Sequence, residues 1–305
     1  MAFFPEGKIL KTEKNIKITQ SLFLLREAIN DKTILEGKAI LCDSDHNLVV
    51  RLSAGITGII PKNEGALGID TGKTKDIAIL SRVNKAVAFT VTSMDLVNGV
   101  VTPILSRKKA QSLCIENYIK NLFSGDIINA TVTHLEPFGA FVDVGCGICS
   151  LIPIDAISIS RISHPADRFH VGQDIKAVVK SVENDRVYLS HKELLGTWEE
   201  NARLFNAGET VGGIVRSVEG YGIFVELAPN LAGLAEPSEG VSCGQHASVY
   251  IKSIIPEKMK IKLVVIDAFN SPAAPTELKY FISSDSMDIW RYSPMESEKI
   301  IETIF

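Results

Sequence analysis

A pattern of alternating apolar and polar residues recurs three times along the chain. The segments that carry it are Gly37 to Pro61, Asn129 to Pro153 and Gly212 to Glu236, which align without a gap at offsets of 92 and 83 residues. Each segment begins with an alternating run, passes a polar turn and returns as a second alternating run. Because a period of two residues is typical of β-strands, each copy predicts a hairpin followed by a third strand.

A further pair of strand-like runs follows each copy. These runs are Asn84 to Ser106, which turns at Asn98-Gly99, Gly172 to Ser190, and Gly244 to Val265. Five short strands can close into a small barrel, which leaves no open sheet edge. The sequence therefore predicts a mainly β protein with three tandem five-stranded barrels of the OB type.

Amphipathic stretches beside the barrels predict helices over about Thr19 to Asn30, 107–123 and 191–205. After a loop with Pro272 and Pro275, the tail shows two strand-like runs, 278–284 and 287–293, and a short last helix over 294–305. The predicted divisions are an N-terminal helical segment (1–33), barrel one (34–108), a linker helix (109–122), barrel two (123–192), a linker helix (193–205), barrel three (206–267) and a C-terminal hairpin and helix (268–305).

Two interpretations of the tail remain open. In the first, its hairpin packs onto a barrel and buries Tyr280, Phe281 and Trp290. In the second, Trp290, Arg291 and Tyr292 form a further patch that contacts RNA or protein.

Strand alternation also predicts which side chains face solvent. The apolar alternate residues must face the barrel interior, so Phe141 and Asp143 in copy two and Phe224 and Glu226 in copy three face outward. An exposed phenylalanine therefore occurs twice at the same register. The first copy has Val49 at this position.

An aromatic residue precedes a glycine two positions before each of these phenylalanines. Phe138 stands before Gly139 and Tyr221 before Gly222, and a glycine lets the chain bend so that the two rings lie side by side. Such a pair predicts a stacking platform for unpaired bases, worth about 1–3 kcal/mol per base. The alternative is that the linker helices cover the rings as ordinary hydrophobic contact.

Basic residues accompany the aromatic pairs. Lys258, Lys260 and Lys262 form an outward stripe, and Lys180 and Lys252 match each other on the fourth strands of their copies. Beside aromatic platforms these cations predict a phosphate track, although a charged strand also protects a sheet edge. In the long loop of copy two, His164 and His170, which lie near Arg161 and Arg168, could line an RNA channel or belong to a solvated loop. The acidic neighbours Asp143, Glu226 and Glu236 predict modest affinity.

Composition neither supports nor opposes this interpretation. The chain is 46% hydrophobic and 22% charged with a net charge of −4, so nucleic-acid binding must depend on local surfaces. Five cysteines without an even framework indicate a reducing compartment. With no apolar run of about 18 residues and no signal-peptide core at the start, the expected location is the cytoplasm.

Three motifs resemble catalytic or metal sites only in part. The segment from Gly68 to Thr74 has one residue too few between its glycines for a phosphate-binding loop. Ser242 lies in a segment that matches a nucleophile elbow but lacks the preceding strand and the following helix. Cys146 and Cys149 form a lone CxxC pair without a second pair for zinc. No enzyme activity, metal or cofactor is expected.

The run from Phe138 to Val142, its counterpart from Tyr221 to Val225, and the strand from Arg186 to Ser190 resemble the RNA-binding domain of the ribosomal protein S-one family. The similarity covers about 37–267 and is strong for copy two, good for copy three and weak for copy one. It implies RNA contacts by Phe138, Phe141, Glu183, Arg186, Tyr221, Phe224 and Lys260. The histidine that the family carries on its third strand is replaced here by Pro61, Pro153 and Glu236, so one contact is missing.

The leading hypothesis is a non-catalytic protein that binds single-stranded RNA in translation, with the small ribosomal subunit as a candidate partner and no membrane. The predicted RNA-binding residues are Phe138, Phe141, Lys180, Glu183, Arg186, Tyr188, Tyr221, Phe224, Lys252, Lys258, Lys260 and Lys262. Copy one is interpreted as a docking or structural barrel. Alternatives are a protein-interaction scaffold that docks on the ribosome or on an RNA-decay enzyme, a hydrolase that uses Ser242, and a binder of single-stranded DNA.

Overall fold

The computed structural model describes residues 2–271 and 278–305, so the predicted loop with Pro272 and Pro275 lies outside the described residues. The protein is mainly β, and its three tandem repeats form three closed five-stranded barrels, as predicted. In each barrel the strands neighbour one another in the order first, second, third, fifth, fourth. This repeated order closes each barrel and leaves no open sheet edge.

The bounds of the strands follow the predicted runs closely. Barrel one contains β1 (Leu35–Cys42), β2 (Leu48–Arg51), β3 (Thr57–Ile60), β4 (Ala86–Val97) and β5 (Val100–Ser106). Barrel two contains β6 (Ile127–Glu136), β7 (Gly139–Asp143), β8 (Cys149–Pro153), β9 (Asp174–Glu183) and β10 (Arg186–Ser190). Barrel three contains β11 (Thr210–Glu219), β12 (Gly222–Ala228), β13 (Leu231–Ala235), β14 (His246–Ile255) and β15 (Lys260–Phe269).

The helices are shorter than predicted. The helix predicted over Thr19 to Asn30 is α2 (Leu22–Asn30), which starts at Leu22 because the Ser21 hydroxyl caps it by accepting from the Leu24 amide. A further helix that was not predicted, α1 (Glu13–Thr19), precedes it. The short helix α3 (Ile77–Leu80) lies within barrel one, and α4 (Arg107–Asn117) follows it.

The second linker helix was also predicted too long. A 3₁₀ turn over Lys192–Leu195 ends at Gly196, whose φ of 85° breaks the helix. The helix proper is α5 (Trp198–Ala202), and it starts at a capping box between Thr197 and Glu200.

The tail differs from its prediction. Residues 278–284 form no strand, and β16 (Ile289–Arg291) pairs instead with β17 (Glu302–Ile304), where a helix was expected. The β-branched residues at the end of the chain favour a strand, and a helix of this length is marginal. Trp290 and Tyr292 are buried in the core of barrel three, so an exposed contact patch built on them is wrong.

The described chain divides into two compact units. The first consists of Met1–Leu122, Asn129–Thr131 and Asp143–Cys149, and the second of Phe123–Ile128, Val132–Val142 and Ser150–Phe305. In the first unit the carboxylate of Glu6 pairs with the guanidinium of Arg107 at 2.6 Å, and the Glu6 amide donates to Asp143 at 2.7 Å. Burial of Asp143, together with the charge of Glu6, raises the pKa of Asp143 to about 6.

Asp143 is therefore not the exposed acid that strand alternation predicted. It lies at the end of β7, and its carboxylate also accepts from the amides of Gly145 and Gly147, at 2.8 and 3.1 Å. A side chain that turns back onto its own backbone and is covered by the N-terminal segment does not contact solvent.

Candidate nucleic-acid interface

Barrels two and three present the same pair of rings. Phe138 and Phe141 lie 5.9 Å apart between ring centroids with an interplanar angle of 88°, and Tyr221 and Phe224 lie 6.2 Å apart at 87°. The first ring of each pair is largely open to solvent, with 56% of Phe138 and 69% of Tyr221 exposed. The strand phenylalanines are partly exposed and are not sealed beneath helices. Each pair therefore offers ring surface to a ligand.

Close packing of strands behind the rings explains the glycines. A Cβ atom on Gly139 would lie 2.5 Å from the carbonyl oxygen of Ile152, and one on Gly222 would lie 2.6 Å from that of Ala235. No other residue fits this approach without moving the neighbouring strand. The glycine therefore holds β7 and β12 against the third strand of their barrels, with the preceding ring beside the strand phenylalanine.

A row of side chains across three strands distinguishes the barrels. In barrel three Phe224 lies opposite Leu234, which lies opposite Lys262 on β15. In barrel two Leu151 lies opposite Tyr188, which occupies the position of Lys262.

In barrel one the corresponding row is Val49, Ile59 and Ile104. This row has neither an aromatic ring nor a charge. The rows of the other two barrels each include an aromatic residue, Tyr188 in barrel two and Phe224 in barrel three, and that of barrel three also includes Lys262.

Barrel three builds a cleft around its ring pair with a volume of about 790 Å³. Tyr221 and Phe224 line it together with the predicted cations Lys258, Lys260 and Lys262, all three of which are exposed. The turn over Pro256–Lys258 and the strand β15 carry these lysines, whose inward neighbours Ile261 and Leu263 fill the barrel core. Lys252 is exposed at a bulge in β14 and does not line the cleft.

The remaining candidates of barrel two lie on its last hairpin. Glu183 and Arg186 face each other across the turn at Asn184-Asp185, whose φ values of 51° and 61° are typical of a tight hairpin. Tyr188 follows on β10 and is exposed, and Lys180 is exposed at a bulge in β9.

Sequence reasoning missed one ring and two cations. His134 on β6 stacks at 6.2 Å from Phe141 and pairs with Glu136 at 2.6 Å. Arg216 on β11 and Lys299 in the tail line the cleft of barrel three. His134 and Arg216 lie on strands that the pattern identified, but nothing in the pattern placed Lys299.

Glu226 was predicted to face solvent and is instead buried. Its carboxylate accepts from the guanidinium of Arg168, and from Arg216 at 2.7 and 3.3 Å. Arg216 also lies 3.4 Å from the carboxylate of Asp167. Burial lowers the pKa of Arg168, although the charge of Glu226 opposes this. The prediction that Glu226 weakens binding as an exposed acid is wrong.

The partial motifs gain no support from their surroundings. Ser242 lies in an exposed turn, where its amide donates to Gln245. Within residues 2–271 and 278–305 no group of three or more histidine, cysteine, aspartate or glutamate side chains is placed to hold a metal ion. Over the same residues, every helix falls short of the length and apolar character that a membrane crossing demands.

Comparison with known proteins agrees with the repeated barrels. Residues 121–192 match the family described as the S1 RNA binding domain. The small ribosomal subunit protein bS1 of Staphylococcus aureus (strain MRSA252) is 26% identical over 316 residues, which cover 96% of this chain and 78% of the relative.

The bS1 protein of Staphylococcus haemolyticus is 30% identical over 308 residues, which cover 92% of this chain and 74% of the relative. A multidomain protein with nucleic acid binding domains from Streptococcus pneumoniae shares 16% identity over 77% of this chain and 74% of that one, with a TM-score of 0.26. The identity shared with the bS1 relatives extends across all three barrels, and on this basis the chain belongs to the bS1 family of small ribosomal subunit proteins.

Proposed function

We propose that the protein is a non-catalytic binder of single-stranded RNA that acts in translation in the cytoplasm, with the small ribosomal subunit as its partner. One observation carries the proposal: two barrels of one chain expose the same perpendicular ring pair at the same register. A contact that only required apolar bulk would accept aliphatic residues there, as the Val49 row of barrel one does.

The chemistry of the two faces suits unpaired RNA. Ring surfaces stack bases of any identity, and nearby lysines neutralise phosphates. The affinity should therefore depend strongly on salt concentration and only weakly on RNA sequence. Two sites on one chain also raise each other's effective concentration, because an RNA held at one barrel stays close to the other.

Family membership supports the setting. The matched domain is described as RNA binding, and the relatives that span most of this chain are small ribosomal subunit proteins. Neither description names a catalytic activity, which agrees with a site built from rings and lysines without a nucleophile. Barrel one, whose row is aliphatic, is assigned no base stacking and keeps the role of a docking or structural barrel.

The test is a titration of fluorescently labelled single-stranded RNA with the full chain and with the double variant Phe141→Ala and Phe224→Ala. Losing one stacked base at each barrel removes about 2 kcal/mol or more, which corresponds to at least about 30-fold weaker binding. Phe23→Ala is the matched control, because Phe23 is an exposed phenylalanine of α2, on the first unit and outside both ring pairs.

Equal affinity of the double variant and the control would refute base stacking and favour the protein-interaction scaffold. Competition with unlabelled single-stranded DNA of the same sequence then separates RNA from DNA, since only RNA offers the 2′-hydroxyl. A Ser242→Ala variant that binds RNA normally agrees with a site that does not involve this turn.

A further inference from the structure

The cleft of barrel three is lined by four separate parts of the chain. The barrel supplies the ring pair and the lysines, and the long loop of barrel two supplies Ile159 to Arg161. Helix α5 supplies Trp198, and the tail supplies Tyr292, Lys299 and Ile301. All of these residues belong to the second compact unit. An isolated third barrel would therefore lack three of the four parts that line this cleft.

Hydrogen bonds fix the loop at the base of barrel three. The Ile159 amide donates to the side-chain oxygen of Asn230 at 2.9 Å, and the Ser160 amide donates to the carbonyl of Pro229 at 3.1 Å. The buried pair of Arg168 and Glu226 ties the far end of the same loop to β12. The loop is thus held on both sides of Arg161, whose side chain is exposed.

The tail is fixed equally firmly. The Tyr292 hydroxyl donates to the carbonyl of Asn230 at 2.6 Å, and the Trp198 amide donates to the carbonyl of Tyr292 at 3.0 Å. The Ile301 amide donates to the Ser293 hydroxyl at 2.8 Å and closes the turn that carries Lys299. Lys299 is therefore an exposed cation on a structured turn at the rim of the cleft.

The charges around the cleft are strongly unequal. Five exposed cations line it, namely Arg161, Lys258, Lys260, Lys262 and Lys299, and the exposed acid among the lining residues is Glu219. Within the described parts of the chain none of these five cations lies within 4 Å of a carboxylate. Unpaired cations on three sides of an aromatic surface suit a ligand that is both aromatic and polyanionic.

We propose that Arg161 and Lys299 bind phosphates of the same single-stranded RNA segment whose bases stack on Tyr221 and Phe224. The RNA site of barrel three is then composite, and it requires the loop of barrel two and the tail in addition to the barrel itself. This inference rests on the proposed function, because it names further contacts to the same RNA.

The test uses the full chain in a Phe141→Ala background, so that binding reports barrel three. Arg161→Gln is compared with Arg203→Gln, and Lys299→Gln is compared with Lys279→Gln. Both controls change an exposed cation of the same unit that lies outside the cleft. The affinity for labelled single-stranded RNA is measured at several salt concentrations. Each cleft variant should bind several-fold more weakly, and its plot of log K against log salt should be shallower by about 0.7.

For the double variant Arg161→Gln and Lys299→Gln, the slope of log K against log salt should be shallower by about 1.4, because two phosphate contacts are lost. Cleft variants whose affinity and salt slope equal those of their controls would overturn the composite site, even if Phe224→Ala still abolishes binding. Loss of binding on Phe224→Ala with normal cleft variants thus rejects this inference alone. Absence of RNA binding by the unmodified chain rejects the proposed function as well.

Discussion

Replacing Glu226 by glutamine tests the buried ionic network that joins the loop of barrel two to barrel three. The Glu226 side chain is 3% exposed and that of Arg168 is fully buried. The change keeps the size of the side chain but removes its charge. Arg168 then remains buried beside a neutral amide, and Arg216 keeps the carboxylate of Asp167, at 3.4 Å, as its one ion-pair partner among the described residues.

The expected loss follows from the cost of an uncompensated buried charge, which is about 3–5 kcal/mol. Arg168 cannot escape this cost by losing its proton, because an arginine stays protonated even where burial lowers its pKa. For a unit of about 170 residues, 1 kcal/mol corresponds to about 2–4 °C, so the melting temperature of the second unit should fall by roughly 10 °C. This would be a large part of the free energy of unfolding of an ordinary domain.

The assay is thermal and denaturant unfolding of the full chain, with Glu236→Gln as the control. Glu236 is an exposed glutamate directly after β13, so its replacement makes the same change in net charge without disturbing a buried partner. Adding Arg168→Met to Glu226→Gln removes the isolated cation and should restore part of the stability. A Glu226→Gln variant as stable as Glu236→Gln would refute the reasoning, and so would a double variant less stable than Glu226→Gln alone.

Two further changes test other parts of the molecule. Burial, together with the charge of Glu6, raises the pKa of Glu36 to about 7 from 4.5, so the folded protein binds a proton that the unfolded chain releases. The contribution of Glu36 to the free energy of unfolding should therefore fall as pH rises from about 4.5 through 7. Denaturant titrations over pH 5 to 8 should give a more negative slope of this free energy against pH for the unmodified chain than for Glu36→Gln, and equal slopes would contradict this. Tyr292→Phe leaves the buried Asn230 carbonyl without its donor and should lower the free energy of unfolding by about 1–2 kcal/mol. Tyr250→Phe, on an exposed ring of the same barrel, should change it by less than about 0.5 kcal/mol, and equal losses would refute the role of the hydrogen bond.

The barrels could be predicted from the sequence because strand alternation and hairpin turns are local signals. The turn at Asn98-Gly99 has the left-handed φ values that its residues favour, 51° and 79°. Helix lengths were predicted less well, because apolar periodicity identifies a buried face but not where a helix begins. The start of α5 is set by the capping box of Thr197 and Glu200, a signal that a prediction from apolar periodicity does not use.

The candidate site was predictable only where it depends on strand register. Register alone identifies the ring pairs and the lysine stripe of β15, since both follow from a period of two residues. What covers a strand from outside is not a local property. Asp143 and Glu226 obey the alternation and are still buried, one beneath the N-terminal segment and the other beneath Arg168. Lys299 reaches the cleft only because the tail folds back onto barrel three.

The burial of Glu226 also resolves the conflict between a net charge of −4 and an RNA-binding surface. As an exposed acid beside Phe224 it would oppose a phosphate, but within its network two carboxylates balance two guanidinium groups and leave no net charge beneath the cleft. Acids elsewhere on the chain are screened, because the Debye length is about 8 Å at physiological salt. The potential that an RNA meets at the cleft is therefore set by its five exposed cations and Glu219. Barrel two combines Lys180 and Arg186 with Glu183 and Glu136. Under the proposed function we therefore expect barrel two to contribute to affinity mainly through its rings and barrel three to supply most of the electrostatic attraction.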